Sequence, residues 1–111
     1  MSYNIIPGER FKKEAKRLSK KYPSLKNELF ALNDQLSENP VIGTSLGNNT
    51  YKIRIAIKSK GKGKSGGARV ITYFVNENKE VYLLTIYDKS EFDIIDDNII
   101  KAIISQINAN K

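Results

Sequence analysis

The hydrophobic period changes once along this chain, and that change constrains the fold more than any single motif. Phe11, Ala15, Leu18 and Tyr22 recur at helical spacing with Lys and Arg between them, one face of an amphipathic helix. Pro23 breaks the pattern and suits the first turn of a new helix, along which Leu25, Leu29, Leu32 and Leu36 continue the stripe to Asn39-Pro40. After a polar loop over 43 to 49 the period becomes two: Tyr51, Ile53, Ile55 and Ile57 alternate with Lys52, Arg54, Ala56 and Lys58. Residues 68 to 75 and 81 to 87 are apolar on both faces, as central strands are, with a turn over 76 to 79 between them. Tyr3 to Ile6 predicts a further short strand, stopped by Pro7-Gly8. Ile99, Ile100, Ile103, Ile104 and Ile107 form a last helical stripe, which Asp96 or Asp97 can cap. The expectation is an α+β fold in which a small antiparallel sheet buries one face under an N-terminal helical hairpin and a C-terminal helix. At 111 residues the chain holds one domain.

Charge is concentrated where the period is two. Lys52, Arg54, Lys58, Lys60, Lys62, Lys64 and Arg69 fall in one stretch without an acid, and these seven match the formal net charge of +7. A field so localised attracts polyanions such as nucleic acid, or an acidic partner segment. The loop itself, KSKGKGKSGGARV, contains the tripeptide GKS, yet it is no nucleotide-phosphate loop. Five positions before Gly63 stands Lys58 rather than glycine, and ARVITYFV after it favours a strand over the helix such a loop needs. A solvated hairpin tip is the structural alternative.

The chain has no Cys and no His, which excludes disulfides, thiol nucleophiles, the usual zinc ligands and the commonest proton shuttle. No metal and no cofactor are called for. Neither a signal peptide nor a membrane span is legible, so the expected location is the cytoplasm.

Lys52 and Arg54 share a strand face, while Arg69 begins the strand beyond the loop on the parity of Ile71 and Tyr73. Tyr87 and Lys89 reach the same sheet edge from the last strand. Cleavage of RNA by its own 2′-hydroxyl suits these groups: Arg offers a fixed fork to phosphate oxygens, a Lys whose proton affinity is depressed by its neighbours can act as base, and an aromatic ring can stack on a base. Two structural roles compete with this reading. Arg69 can pair with one of the five acids between Asp88 and Asp97, and Tyr87 can simply pack.

The stretches YKIRIAIKSKGKGKSGGARVITYFV and VYLLTIYDKSE, followed by the apolar C-terminal helix, resemble the RelE/ParE superfamily of type II toxin-antitoxin toxins, in particular its HigB-like branch. The resemblance covers nearly the whole chain. It implies a RelE-like fold of the microbial ribonuclease type and a ribosome-dependent, metal-independent mRNA endonuclease held in check by a cognate antitoxin, expected to be of helix-turn-helix type. Arg69 resembles the family's arginine that stabilises the transition state. Lys58, Lys60 and Arg54 correspond loosely to the residues that bind phosphate and act as base, and Tyr87 and Lys89 to the functional end of the last strand. Lys52, Arg54, Lys62, Lys64 and Tyr73 are then the expected RNA-binding set. Relatives that use His for proton transfer have no counterpart here. The ParE branch offers a different function on the same fold, inhibition of DNA gyrase without catalysis, and an inactive RNA-binding relative is the third possibility.

Overall fold

The computed structural model describes residues 2–61, 66–91 and 95–109. Eight regular elements follow in the order β1 (Asn4–Pro7), α1 (Glu9–Lys21), α2 (Leu25–Glu38), β2 (Thr44–Gly47), β3 (Thr50–Ile55), β4 (Ala68–Val75), β5 (Glu80–Asp88) and α3 (Asp97–Ala109). Single 3-10 turns occupy Lys58–Lys60 and Asn76–Asn78.

The strands form one five-stranded sheet in the order β1-β5-β4-β3-β2. β3 to β5 run as the expected antiparallel meander, which β2 extends by one strand, but β1 pairs with β5 in parallel, Ile5 opposite Val81, so the sheet is mixed. A parallel neighbour requires a crossover, and in sequence the helical hairpin follows directly on β1. β2 lies in the segment expected to be loop. It returns into β3 through Asn48 and Asn49, both at positive φ (52° and 63°), the two-residue turn that matches strand twist and that Asn tolerates.

The sheet is covered on both faces, which corrects the expectation of one buried face. On one side Phe11, Leu18, Leu25, Leu32 and Leu36 of the hairpin pack on Ile53, Ile55, Val70, Val81, Leu83 and Ile86. On the other, Ile100 of α3 is buried with Ile71, Leu84, Tyr87 and Ile95, while Ile99, Ile103, Ile104 and Ile107 pack against them. Each of the fully buried Leu or Ile side chains contributes roughly 1.5–3 kcal/mol relative to exposure. The final isoleucine stripe therefore makes the second core, and its first turn is capped by Asp96, whose Oδ1 accepts the amide of Asn98 at 2.8 Å.

A register shift makes β5 serve both cores. Ile71 faces Thr85 but Thr72 faces Leu83, leaving Leu84 as the extra residue of a bulge. Before the shift Tyr82 and Leu84 point toward α3; after it the parity flips, and Tyr87 points that way too. The bulge is what puts Tyr87 on the same face as Arg69.

Candidate functional site

Strand register builds a row across three strands. Arg54 of β3 stands opposite Arg69 of β4, and Arg69 stands opposite Tyr87 of β5. Directly opposed residues project from the same face, the face that α3 covers in part. The row is graded: Arg54 is exposed, while Arg69 and Tyr87 retain only 4% and 1% of their surface. Arg69 donates from Nη1 to the carbonyl of Ala68 at 3.1 Å, a bond that holds the guanidinium against its own strand. Lys52, half-buried, lies two residues from Arg54 on the same face and opposite Ile71. Two arginines and a lysine gathered on one face offer several donors to the oxygens of a phosphate chain.

Tyr73 shares the face but not the row. It stands opposite Thr50 and Tyr82, four residues from Arg69, about 13 Å along the strand at ordinary rise. Its ring lies 6.2 Å from that of Tyr82 and packs in the α3 cluster. The Tyr82 hydroxyl donates to Glu80 at 3.0 Å; burial first, and this carboxylate second, raise the phenol above its ordinary pKa.

Lys58 and Lys60 lie past the end of β3, on the hairpin side. The Lys58 side chain is exposed, and its amide donates to Glu28 Oε2 at 2.7 Å. Lys60 is not available in the way the sequence suggested: its ammonium is 2.6 Å from Asp88 Oδ1, with 8% of the Lys60 side chain and none of the Asp88 side chain exposed. The same ammonium sits 5.2 Å over the Tyr22 ring. Asp88 also accepts from the Tyr22 hydroxyl at 2.7 Å and from the amide and hydroxyl of Ser90 at 2.9 and 2.8 Å. Burial alone pushes this carboxyl up, but the hydrogen bonds from Lys60, Tyr22 and Ser90 outweigh it and hold the pKa far below the carboxylate range. Lys89 is half-buried, and its amide donates to the carbonyl of Gly67 at 3.1 Å. Lys62 and Lys64 lie outside the described residues.

The structure thus brings Arg54, Arg69, Tyr87 and Lys52 together, leaves Tyr73 at the far end of the face, and ties Lys60 into a buried pair. The Tyr22–Lys60–Asp88–Ser90 cluster has no counterpart in the sequence reading. A signal for it existed: an acid ending an apolar central strand is as costly as an arginine starting one. Neighbouring polar contacts extend it. Ser59 donates its amide to Ser24 Oγ at 3.0 Å, and Arg17 clasps Glu91 with two hydrogen bonds of 2.9 and 2.7 Å, which holds that carboxyl below its ordinary pKa.

Comparison with known proteins gives this geometry a setting. A model of the family described as the RelE toxin of the RelE/RelB toxin-antitoxin system matches residues 8–109. Among solved structures, an arginine-substituted variant of the E. coli toxin RelE in its free state is similar at TM-score 0.64 and 18% identity, over 96% of this chain and 99% of that one. The same toxin variant in complex with an antitoxin RelB peptide gives 0.60 at 21% identity, over 86% and 100%. The RelBE2 toxin-antitoxin complex of Mycobacterium tuberculosis gives 0.57 at 20% identity, over 79% and 99%. These likenesses bear on the α+β fold, and the family match spans nearly all of the sequence. From Gly8 through the last turn of α3, then, the chain belongs to the RelE toxin family.

Proposed function

We propose that this toxin is an endoribonuclease that cuts mRNA on the ribosome and is restrained by a cognate antitoxin. The observation that carries the reading is the Arg54–Arg69–Tyr87 row with Lys52 beside it, two guanidiniums, an ammonium and a phenol brought to one face by strand register. In the cleavage step the ribose 2′-oxygen forms a bond to phosphorus and the 5′-oxygen leaves, giving a 2′,3′-cyclic phosphate. The 2′-hydroxyl proton goes to a base, and the departing 5′-oxygen takes one from an acid. Between these two events the phosphorane carries extra negative charge. Arg69, buried and held at Ala68, is placed to meet that charge, while Arg54 and Lys52 on the open side hold the phosphate chain. Without His, proton transfer falls to Lys, Tyr or a carboxylate; Lys58 and Lys89 are candidates outside the Asp88 pair.

Because arginine supplies the charge, we take the reaction to be metal-independent, so activity should survive EDTA. Docking on ribosomal RNA gives a use for the formal charge of +7 and implies a cytoplasmic site of action. The partner is proposed from relatives that form complexes with antitoxins, here a helix-turn-helix protein encoded beside the toxin. No helix among the described residues is long and apolar enough to cross a membrane.

Inducing the protein should stop translation and leave transcripts cut within codons. Intact transcripts together with inhibited supercoiling by purified gyrase would replace this reading with the gyrase-directed one.

A further inference from the structure

Two consecutive residues at the end of β5 hold both stems of the basic loop. Asp88 takes the outgoing stem through Lys60, Nζ to Oδ1 at 2.6 Å. Lys89 takes the returning stem through its amide, which donates to the Gly67 carbonyl at 3.1 Å. Gly67 is itself wedged against β3: a Cβ there would collide with the Ile55 carbonyl oxygen. The helical hairpin supplies the outer jaw. Tyr22 donates to Asp88 Oδ2 at 2.7 Å, Ser24 Oγ accepts the Ser59 amide at 3.0 Å, and Glu28 accepts the Lys58 amide at 2.7 Å. The Asp88 carboxylate accepts four hydrogen bonds from Lys60, Tyr22 and Ser90 and its side chain has no exposed surface, so substrate does not reach it.

We propose that Asp88 is a positioning residue: with Lys60 and Tyr22 it clamps the described stems of the basic loop, at Lys60 on one side and, through the next residue's amide, at Gly67 on the other, while Lys60 itself touches no RNA. The proposal rests on the ribonuclease reading. Ordering a loop on binding subtracts from affinity, and stems already fixed reduce that cost. Arg69 and Tyr87 stand opposite each other within the β4–β5 ladder, so loosening the clamp weakens capture of RNA and spares the chemical step.

The test uses full-length Asp88→Asn, Lys60→Met, their double variant and the milder Tyr22→Phe, each first shown to be folded by circular dichroism. Amine labelling read by mass spectrometry compares Lys60 with exposed Lys58 in the same sample. In the wild type Lys60 should label about tenfold more slowly than Lys58, and in Asp88→Asn the two should converge, with Tyr22→Phe between. Ribosome-programmed cleavage should show KM raised about tenfold in either single variant and no further in the double, because one interaction has been removed once. The rate at saturating ribosomes and its pH profile should stay as in the wild type. Loss of the saturating rate, or of one limb of the profile, in Lys60→Met would make Lys60 a proton carrier and overturn the proposal. Equal labelling of Lys58 and Lys60 in the wild type would overturn it as well. A wild type that cleaves nothing sinks the nuclease reading instead, and the labelling ratio still decides whether the clamp exists. Should Asp88→Asn not fold, Tyr22→Phe carries the same comparison.

Discussion

Arg69 is buried at the head of β4 and bonded to Ala68, so its side chain is positioned before any substrate arrives. Removing a preorganised donor to a developing oxyanion typically costs about 100- to 1,000-fold in rate. Arg69→Ala should lose cleavage by that order, with an unchanged circular dichroism spectrum separating lost chemistry from lost fold. Asp88 makes the opposite case, a charge that matters to folding. Removing one member of a buried pair costs about 3–5 kcal/mol, so Asp88→Asn should lower the urea midpoint markedly at pH 7. The pH sign follows from the depressed folded pKa. The stability this carboxylate contributes is fully present above the unfolded value of about 3.9 and is lost as pH falls below it toward the folded value. Wild-type stability should therefore decline with acid below about pH 4, and Asp88→Asn should show a shallower decline over the same interval.

Among the elements, α3 is capped at its start by Asp96. Asp96→Ala leaves the Asn98 amide without its side-chain acceptor and should cost about 1 kcal/mol in urea titration. The β3–β4 junction is less forgiving. Gly67→Ala drives a methyl group into the Ile55 carbonyl, and relieving that clash by backbone shift should cost about 1–3 kcal/mol or more. Helices and central strands were legible because each repeats its apolar residues at its own period, and Leu18, Leu25 and Leu36 are completely buried as that pattern requires. β2 was not, because its residues Thr44–Gly47 are exposed throughout and carry no alternation. The bulge at Leu84 was hidden for a related reason: in a strand apolar on both faces, a one-residue change of parity leaves no mark in the hydrophobic pattern.

At the level of the whole molecule, positive charge gathers on the open side of the sheet, where Lys52 and Arg54 stand beyond the cover of α3. Association with RNA should weaken with salt, the logarithm of affinity falling by roughly 0.7 per phosphate contact for single strands. Replacing Lys52 and Arg54 together by Ala should reduce that slope by about 1.4, measured by titrating ribosome or oligonucleotide binding across salt concentrations. The helices, the central strands, the α+β class and the basic strand-loop-strand unit could be read from residues alone, because period and charge are properties of short stretches. Only the tertiary structure decided that Arg54, Arg69 and Tyr87 stand in one row, since that depends on register and on a bulge. It alone decided that Lys60 belongs to Asp88 and Tyr22, since which acid meets which base across 28 residues of chain is settled by packing and not by sequence order.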